Sequence, residues 1–453
     1  MGLFDFLWRL LFGAPRPPST DPVDEAPSAL RGETTAQSTE SQSAGHRSSS
    51  PPASRPEKSR NQRSRKRIQL EPLEYQPSLV ATDPRQELVK RRPYRFSSAG
   101  IIPSSFLDLS QDSDPRWLEY YGLPRLKTPE ELASWLGIPI GRLAWLTHHT
   151  QPNHRAESEK KSHYVYRWLP KRSGGWRLIE APKPELKRVQ EKILREILNH
   201  VPTHNAAHGF VIGRSIISNS MPHTGKRFLL KLDLKDFYAN VRYSRVVAIF
   251  RSLGYSREVA IWLARLTTTA LPWDVKSPVS AVERARFSPR HLPQGGVTSP
   301  ALANLSAFSL DVRLQGVAER YHLTYTRYAD DLTFSGSGRV IPALNEIVPL
   351  IRQIVASERF YLNSKKCRVI RNGQRQVVTG IVVNERLNVP RVEYDRLKAI
   401  LHNCIKHGPS TQNRENHPHF YEHLMGRIAH VLHVNPNKGA KLVDLFHEIQ
   451  WNR

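Results

Sequence analysis

Four aspartates in two short segments are the residues whose type and spacing could do chemistry. The segment FLLKLDLKDFYANV, residues 228–241, reads as an apolar strand ending in Asp233, with Asp236 just beyond it. Much later in the chain, TYTRYADDLTFSG, residues 324–336, reads as a hairpin with Asp330 and Asp331 adjacent at its tip. Like charges side by side repel unless a cation or a basic partner neutralises them. Asp233, Asp330 and Asp331, brought together from two strand ends, could hold two Mg²⁺ ions about 3.5–4 Å apart. Such a pair of ions activates a hydroxyl nucleophile and stabilises a departing pyrophosphate. The plainer alternative is a turn made of acidic residues, and the apolar strands around the pair argue for the metal. Asp236 is read first as solvated or paired with Lys235, and only second as a further ligand.

The rest of the chain agrees with an anionic partner. Its 453 residues suggest roughly three domains or one large multi-part enzyme. Lys and Arg number 67 against 41 Asp and Glu, a formal charge of +26, which points to RNA or DNA rather than a small neutral substrate. Only Cys367 and Cys404 occur, which excludes a disulfide scaffold and fits a reducing compartment. No uninterrupted run of about 18 apolar residues is present, so a soluble chain with no membrane span is expected.

Hydrophobic residues make up 39% of the chain, and the N-terminal part accounts for the low figure. Residues 14–67 are dominated by Pro, Ser, Thr, Arg, Gln and Glu, a composition that cannot bury enough surface to offset backbone entropy. The segment is expected to be disordered, its basic end (Lys58 to Arg67) serving as a solvated tail or an electrostatic RNA tether. Before it, Leu3, Phe6, Leu7, Leu10 and Leu11 repeat at the spacing of a short amphipathic helix. That helix could dock on a partner, on the protein's own body or on a membrane surface.

Patterned sequence begins near Asp114. Thr128, Pro129 and Glu131 form a helix start. Residues 163–182 hold two alternating runs around Lys171-Arg172-Ser173-Gly174-Gly175, the pattern of a β-hairpin with a basic tip. Residues 184–198 spell an amphipathic helix with Leu186, Val189, Ile193, Leu194 and Ile197 on one face. From Phe228 strands and helices alternate, and the last 65 or so residues are mainly helical, so the fold class is α+β. Nineteen histidines invite a zinc site around Cys404 and His407, but paired ligand spacing is missing, and a basic surface is the better reading.

The ordered set of motifs resembles the reverse transcriptases, and within them the bacterial retron enzymes. The resemblance is carried by Tyr328-Ala329-Asp330-Asp331, by Asp233, and by Gln294-Gly295-Gly296-Val297-Thr298-Ser299-Pro300 between them. Two further elements point to retrons: Asn205-Ala206-Ala207-His208, matching Asn-Ala-x-x-His, and Val378-Thr379-Gly380, matching Val-Thr-Gly. The likeness runs from about residue 116 to the end. It implies a right-hand polymerase: residues 116–230 as N-terminal helices and fingers, 231–385 as an antiparallel palm with helices, 386–453 as a helical RNA-binding thumb. Residues 1–115 would form an extension outside that pattern.

The resemblance also implies roles. Asp233, Asp330 and Asp331 would be the catalytic metal ligands for two Mg²⁺ ions. Gln294 and Gly295 would border the incoming nucleotide, Tyr238 would be the gate against a ribose 2′-hydroxyl, with an ordinary core residue as the alternative, and Arg177 and Lys183 would contact the triphosphate, with template-backbone contact as the alternative. Lys365 or its neighbour Lys366 would lie near the same triphosphate. Asn205, His208, Thr379 and Gly380 would contact RNA; a plain capped loop, with His208 bonding backbone, is the alternative for the first two. Arg391, Arg396, Lys398, Lys406 and Arg427 would give the thumb its basic face. The expected activity is RNA-directed DNA synthesis from dNTPs on a cognate structured non-coding RNA. Its product would be a single-stranded DNA branched from that RNA (msDNA), made in the bacterial cytoplasm for anti-phage defence with a separate effector protein. A reverse transcriptase of group II intron or abortive-infection type, or a non-catalytic RNA-binding scaffold, are the alternatives.

Overall fold

The computed structural model describes residues 112–149, 151, 155–171 and 174–451. The N-terminal amphipathic helix, the low-complexity segment with its basic end, and Arg172 and Ser173 of the hairpin tip lie outside the described residues.

Three short helices open the described chain: α1 (Pro115–Tyr120), α2 (Pro129–Leu136) and α3 (Ile140–Leu146). The expected start of α2 is present, since Thr128 Oγ1 accepts from the Glu131 amide and Pro129 fills the first helical position. Strands β1 (Tyr164–Pro170) and β2 (Trp176–Pro182) pair antiparallel, with Tyr164 opposite Pro182 and Pro170 opposite Trp176. Helix α4 (Pro184–Glu196) follows and buries Leu186, Val189, Gln190 and Ile193. After α5 (Ile216–Ser220) comes β3 (Phe228–Asp233), then α6 (Phe237–Asn240), α7 (Tyr243–Ser252), α8 (Arg257–Thr267) and α9 (Ala281–Ala285). Helices α10 (Ser299–Ser306) and α11 (Phe308–Arg320) lead into β4 (Thr324–Tyr328), β5 (Asp331–Gly336), α12 (Leu344–Ser357) and β6 (Arg368–Arg371).

The four palm strands form one sheet in the order β4-β5-β3-β6, antiparallel throughout. Strand β3 is central and covered on both faces. Phe228, Leu230 and Leu232 belong to a large core shared with α1–α4, α7, α8 and α10–α12, whereas Leu229 belongs to a second core. That split follows from the two-residue period of a strand. The second core is built from the hairpin β7 (Val377–Val378) and β8 (Ile381–Val382) with helices α13 (Arg391–His407), α14 (Phe420–Val434) and α15 (Pro436–His447). Leu397, Leu401, Leu424, Ile428, Leu442 and Phe446 fill it. Fingers and palm therefore share one core, while the thumb core already takes in Val378.

One stretch departs from the expectation drawn from uninterrupted apolar runs. Gly338–Ser357 contains a stretch of 18 residues with a mean hydropathy of 1.3, enough by length and composition for a membrane span. Arg339, Glu346 and Arg352 interrupt it, and α12 packs Leu344, Ile347, Ile351, Ile354 and Val355 into the palm core. It is a core helix.

Candidate active site

Pairing of β3 with β5 brings the acidic residues together. Asp233 and Asp331 are direct register partners, and Asp330 lies in the turn between β4 and β5. The amide of Leu234 donates to the Asp330 carbonyl over 2.8 Å, which ties the turn to the end of β3. Burial pushes the Asp330 carboxyl up to about 6, with the charges of Asp331 and Asp233 adding to the shift. Asp331 is raised as well, by burial first and then by Asp233, with Lys231 and Lys366 acting in opposition.

Two side chains hold Asp233. Lys366 Nζ donates to Oδ1 over 2.6 Å, and Asn363 Nδ2 donates to Oδ2 over 3.3 Å. Burial draws the Lys366 ammonium down, but its bond to Asp233 and the charges of all three aspartates outweigh this and raise it. Both lysines are exposed, and Lys366 is the one whose ammonium reaches Asp233. Among the described residues, no three His, Cys, Asp or Glu side chains converge closely enough to hold a metal ion as they stand. The donor set nonetheless suits a hard divalent cation: three carboxylates on one sheet edge, in mutual repulsion, with Lys366 as a competing cation. Asp236 points elsewhere, its Oδ2 accepting from Arg286 Nη1 over 3.1 Å, so its ion-pair partner is Arg286 rather than Lys235. Cys404 is core, and burial raises its thiol to about 11, which opposes the thiolate that zinc requires.

Beneath the acidic turn lies a network absent from the sequence reading. Arg327, wholly buried, donates to both carboxylate oxygens of Asp311 (2.8 and 2.6 Å), to Asn304 Oδ1 (2.9 Å) and to the Ala329 carbonyl (3.1 Å). Tyr325 adds a bond to Asp311 Oδ1 at 2.8 Å. The guanidinium thus braces Ala329, which adopts a left-handed φ of 54°. An arginine in the middle of an apolar strand and an aspartate on the apolar face of α11 were the available signals, because buried charges need partners.

Asn205-Ala206-Ala207-His208 runs alongside β4. Arg327 N donates to Ala206 O (2.7 Å) and His208 N to Arg327 O (2.8 Å). Gly209 then passes so close to the turn that a Cβ there would sit 2.7 Å from the Ala329 nitrogen. His208 Nδ1 bonds the Ser218 hydroxyl at 2.9 Å, not backbone, and burial lowers the ring to about 4. Asn205 is exposed, its side-chain oxygen 3.3 Å from Arg214 Nη2. Thr379, with φ of 45°, docks on the same short helix α5: its hydroxyl lies 2.9 Å from Ser220 Oγ and 3.3 Å from Ile216 O. Asn205 and Gly380 face solvent, while the polar groups of His208 and Thr379 are used inside the protein.

Around the acids, Phe237 packs in the core against Phe360, and Tyr238 is partly exposed. Burial and the charge of Asp330 raise the Tyr238 phenol above its usual range. Gln294 O accepts from Glu180 N at 2.9 Å, so the glycine loop is stitched to β2. Gly295 has a φ of 128°, and a Cβ there would lie 3.1 Å from the Glu180 carbonyl oxygen. Arg177 is exposed on β2. Lys183 begins the next element, and its ammonium donates to Lys160 O at 3.3 Å. Six residues of extended chain, about 20 Å, separate the two along the backbone. On the thumb, Arg391, Arg396, Lys398 and Lys406 are exposed, and burial, then Arg396, lowers the Arg427 guanidinium.

Comparison with known proteins agrees with this geometry. Residues 169–423 match the family model described as reverse transcriptase (RNA-dependent DNA polymerase). The chain is 42% identical over 333 residues to the retron Mx65 reverse transcriptase of Myxococcus xanthus, covering 73% of each chain. It is 36% identical over 343 residues to the retron Mx162 reverse transcriptase of the same organism, covering 73% of this chain and 68% of that one. It is 31% identical over 277 residues to the retron Ec86 reverse transcriptase of Escherichia coli, covering 60% and 77%. Among solved structures, telomerase from Candida albicans with a telomeric RNA fragment aligns at a TM-score of 0.32 and 13% identity, covering 62% and 56%, too loose a match to inform the fold.

Proposed function

The chain belongs to the reverse transcriptases, RNA-dependent DNA polymerases, and among them to the retron enzymes; from that membership we infer that it copies a structured non-coding RNA of its own locus into single-stranded DNA. The observation that carries this reading is the acidic edge, where Asp233 and Asp331 are register partners and Asp330 adjoins them.

Asp233, Asp330 and Asp331 are the catalytic residues. These carboxylates would hold Mg²⁺, which would supply acidification of the primer hydroxyl and charge stabilisation of the in-line transition state. Each remaining task falls to side chains of this chain. Lys366 balances the carboxylates through its bond to Asp233 and stands on the side where the triphosphate would lie. Arg177 grips phosphate oxygens with its planar fork. Gln294 and Gly295 shape the wall against the incoming dNTP, and Tyr238 excludes a 2′-hydroxyl. Arg327 holds the acidic turn rigid, which keeps the carboxylates aligned without reorganisation during the reaction. The basic thumb follows the RNA through its backbone and shape.

The primer is the 2′-hydroxyl of a guanosine within the same RNA, so the product is a branched RNA–DNA molecule. It is made in the bacterial cytoplasm and serves anti-phage defence with a separate effector protein. The test uses cells carrying the gene with its native upstream DNA. Total nucleic acid is examined for short single-stranded DNA covalently joined to RNA, in wild type and in Asp330→Asn/Asp331→Asn. A species present only in wild type supports the reading. Its absence, with soluble protein and intact flanking DNA, overturns it.

A further inference from the structure

Between the fingers hairpin and the glycine loop lies a buried polar pair that none of the roles above uses. Glu180 Oε2 is 3.0 Å from His291 Nε2, and the two side chains are 1% and 0% exposed. The other ring nitrogen, Nδ1, lies 2.8 Å from the Pro289 carbonyl oxygen. A carbonyl can only accept, so Nδ1 carries a proton and donates. The contact at Nε2 then needs one more proton, either on the imidazole facing a carboxylate or on Glu180 facing a neutral ring. In both forms the pair is neutral overall, which is how two such groups are tolerated away from water.

The two partners belong to different parts of the fold. The backbone of His291 exchanges hydrogen bonds with Thr269 (3.0 and 2.8 Å). Its neighbours Arg290 and Leu292 bond Tyr243 and Val241, directly after the helix that carries Tyr238. His291 is therefore anchored to the palm. Glu180 is anchored in β2, opposite Tyr166. The pair is thus a side-chain pin between palm and fingers, placed where the Glu180 amide holds Gln294 O and where Gly295 leaves room for the Glu180 carbonyl. Arg177 precedes Glu180 by three residues, and Gln294 follows His291 by three.

We propose that the Glu180–His291 pair is the positioning device of the incoming-nucleotide site, setting the separation between Arg177 on the hairpin and Gln294 on the loop. Neither side chain touches the nucleotide; both act through the residues three positions away. The proposal rests on the reading of Arg177 and Gln294 as nucleotide contacts.

The test is steady-state primer extension by the full chain on poly(rA) template with oligo(dT) primer and dTTP. Glu180→Ala and His291→Ala raise KM for dTTP roughly tenfold, keep kcat at saturating dTTP within about threefold, and leave template–primer Kd unchanged. In Glu180→Gln the amide donates to Nε2 of a neutral ring, so the pin survives and KM stays within about twofold of wild type. Each single alanine variant strands a buried polar partner and loses thermal stability. The double variant Glu180→Ala/His291→Ala strands neither; it regains stability yet keeps the raised KM. A double variant with wild-type KM, or a Glu180→Gln as impaired as Glu180→Ala, overturns the proposal. Arg177→Ala and Gln294→Ala are run beside them. If both leave KM unchanged, the nucleotide-site reading itself fails. If they raise KM and the variants of the pair do not, the pin alone fails.

Discussion

Lys366 donates to Asp233 across 2.6 Å, so the carboxylate that would meet a metal is already held by an ammonium. Lys366 and its neighbour Lys365 are both exposed, and only the bond to Asp233 tells them apart. This separates two adjacent lysines that the sequence leaves equivalent. Lys366→Ala should lower kcat/KM for dNTP by roughly 10–100-fold, whereas Lys365→Ala should stay within about twofold of wild type. Primer-extension kinetics on the two variants check it, and equal effects would contradict the geometry.

Asp330 carries a conflict between stability and activity. Its folded-state pKa is raised to about 6 from an ordinary 3.8, so protonation favours the folded protein. Its contribution is fully present below the unfolded value and is lost as pH rises through about 6. Without metal, Asp330→Asn should therefore match wild type in stability near pH 4. It should exceed wild type above pH 6 by on the order of 1–2 kcal/mol while synthesising no DNA. Thermal melts in EDTA across that range measure the difference. Added Mg²⁺ should narrow it at neutral pH by stabilising only the wild type.

Tyr238 lies near Asp330 and packs partly buried against the palm core, and the gate role is proposed for its ring. Tyr238→Ala or Tyr238→Val should raise the ratio of ribonucleotide to deoxyribonucleotide incorporation by roughly tenfold or more while preserving dNTP use. Extension assays with each nucleotide class read the ratio. An unchanged ratio removes the gate role.

Arg327 and Asp311 are both wholly buried, so breaking the pair is costlier than removing it. Asp311→Ala strands the guanidinium and should cost about 3–5 kcal/mol. Arg327→Met/Asp311→Leu should be markedly less destabilised than Asp311→Ala, yet still lose activity because the Ala329 carbonyl is no longer braced. Chemical denaturation and polymerisation assays on both variants separate the two effects.

Much of the fold was legible because its signals are local. The Thr128 cap, the hairpin of residues 164–182, the apolar face of α4 and the strand ending in Asp233 all depend on neighbours within a few positions. The motif order likewise identified Asp330 and Asp331 at a hairpin tip. Less legible were side chains whose partners lie far along the chain: Asp236 meets Arg286, His208 meets Ser218, and Thr379 meets Ser220.

By itself, the sequence determined the chemistry on offer: three aspartates at strand ends, a strongly basic surface and a glycine loop, each set by residue type and short spacing. Only the tertiary structure decided who faces whom. The register of β3 against β5 sets Asp233 opposite Asp331, and the return of the chain after α12 selects Lys366 over Lys365. Burial then makes Arg327 with Asp311, and Glu180 with His291, obligatory pairs. The reason is physical: hydrophobic periodicity acts along the chain, whereas charge pairing depends on distance and desolvation, which exist only once the core has closed.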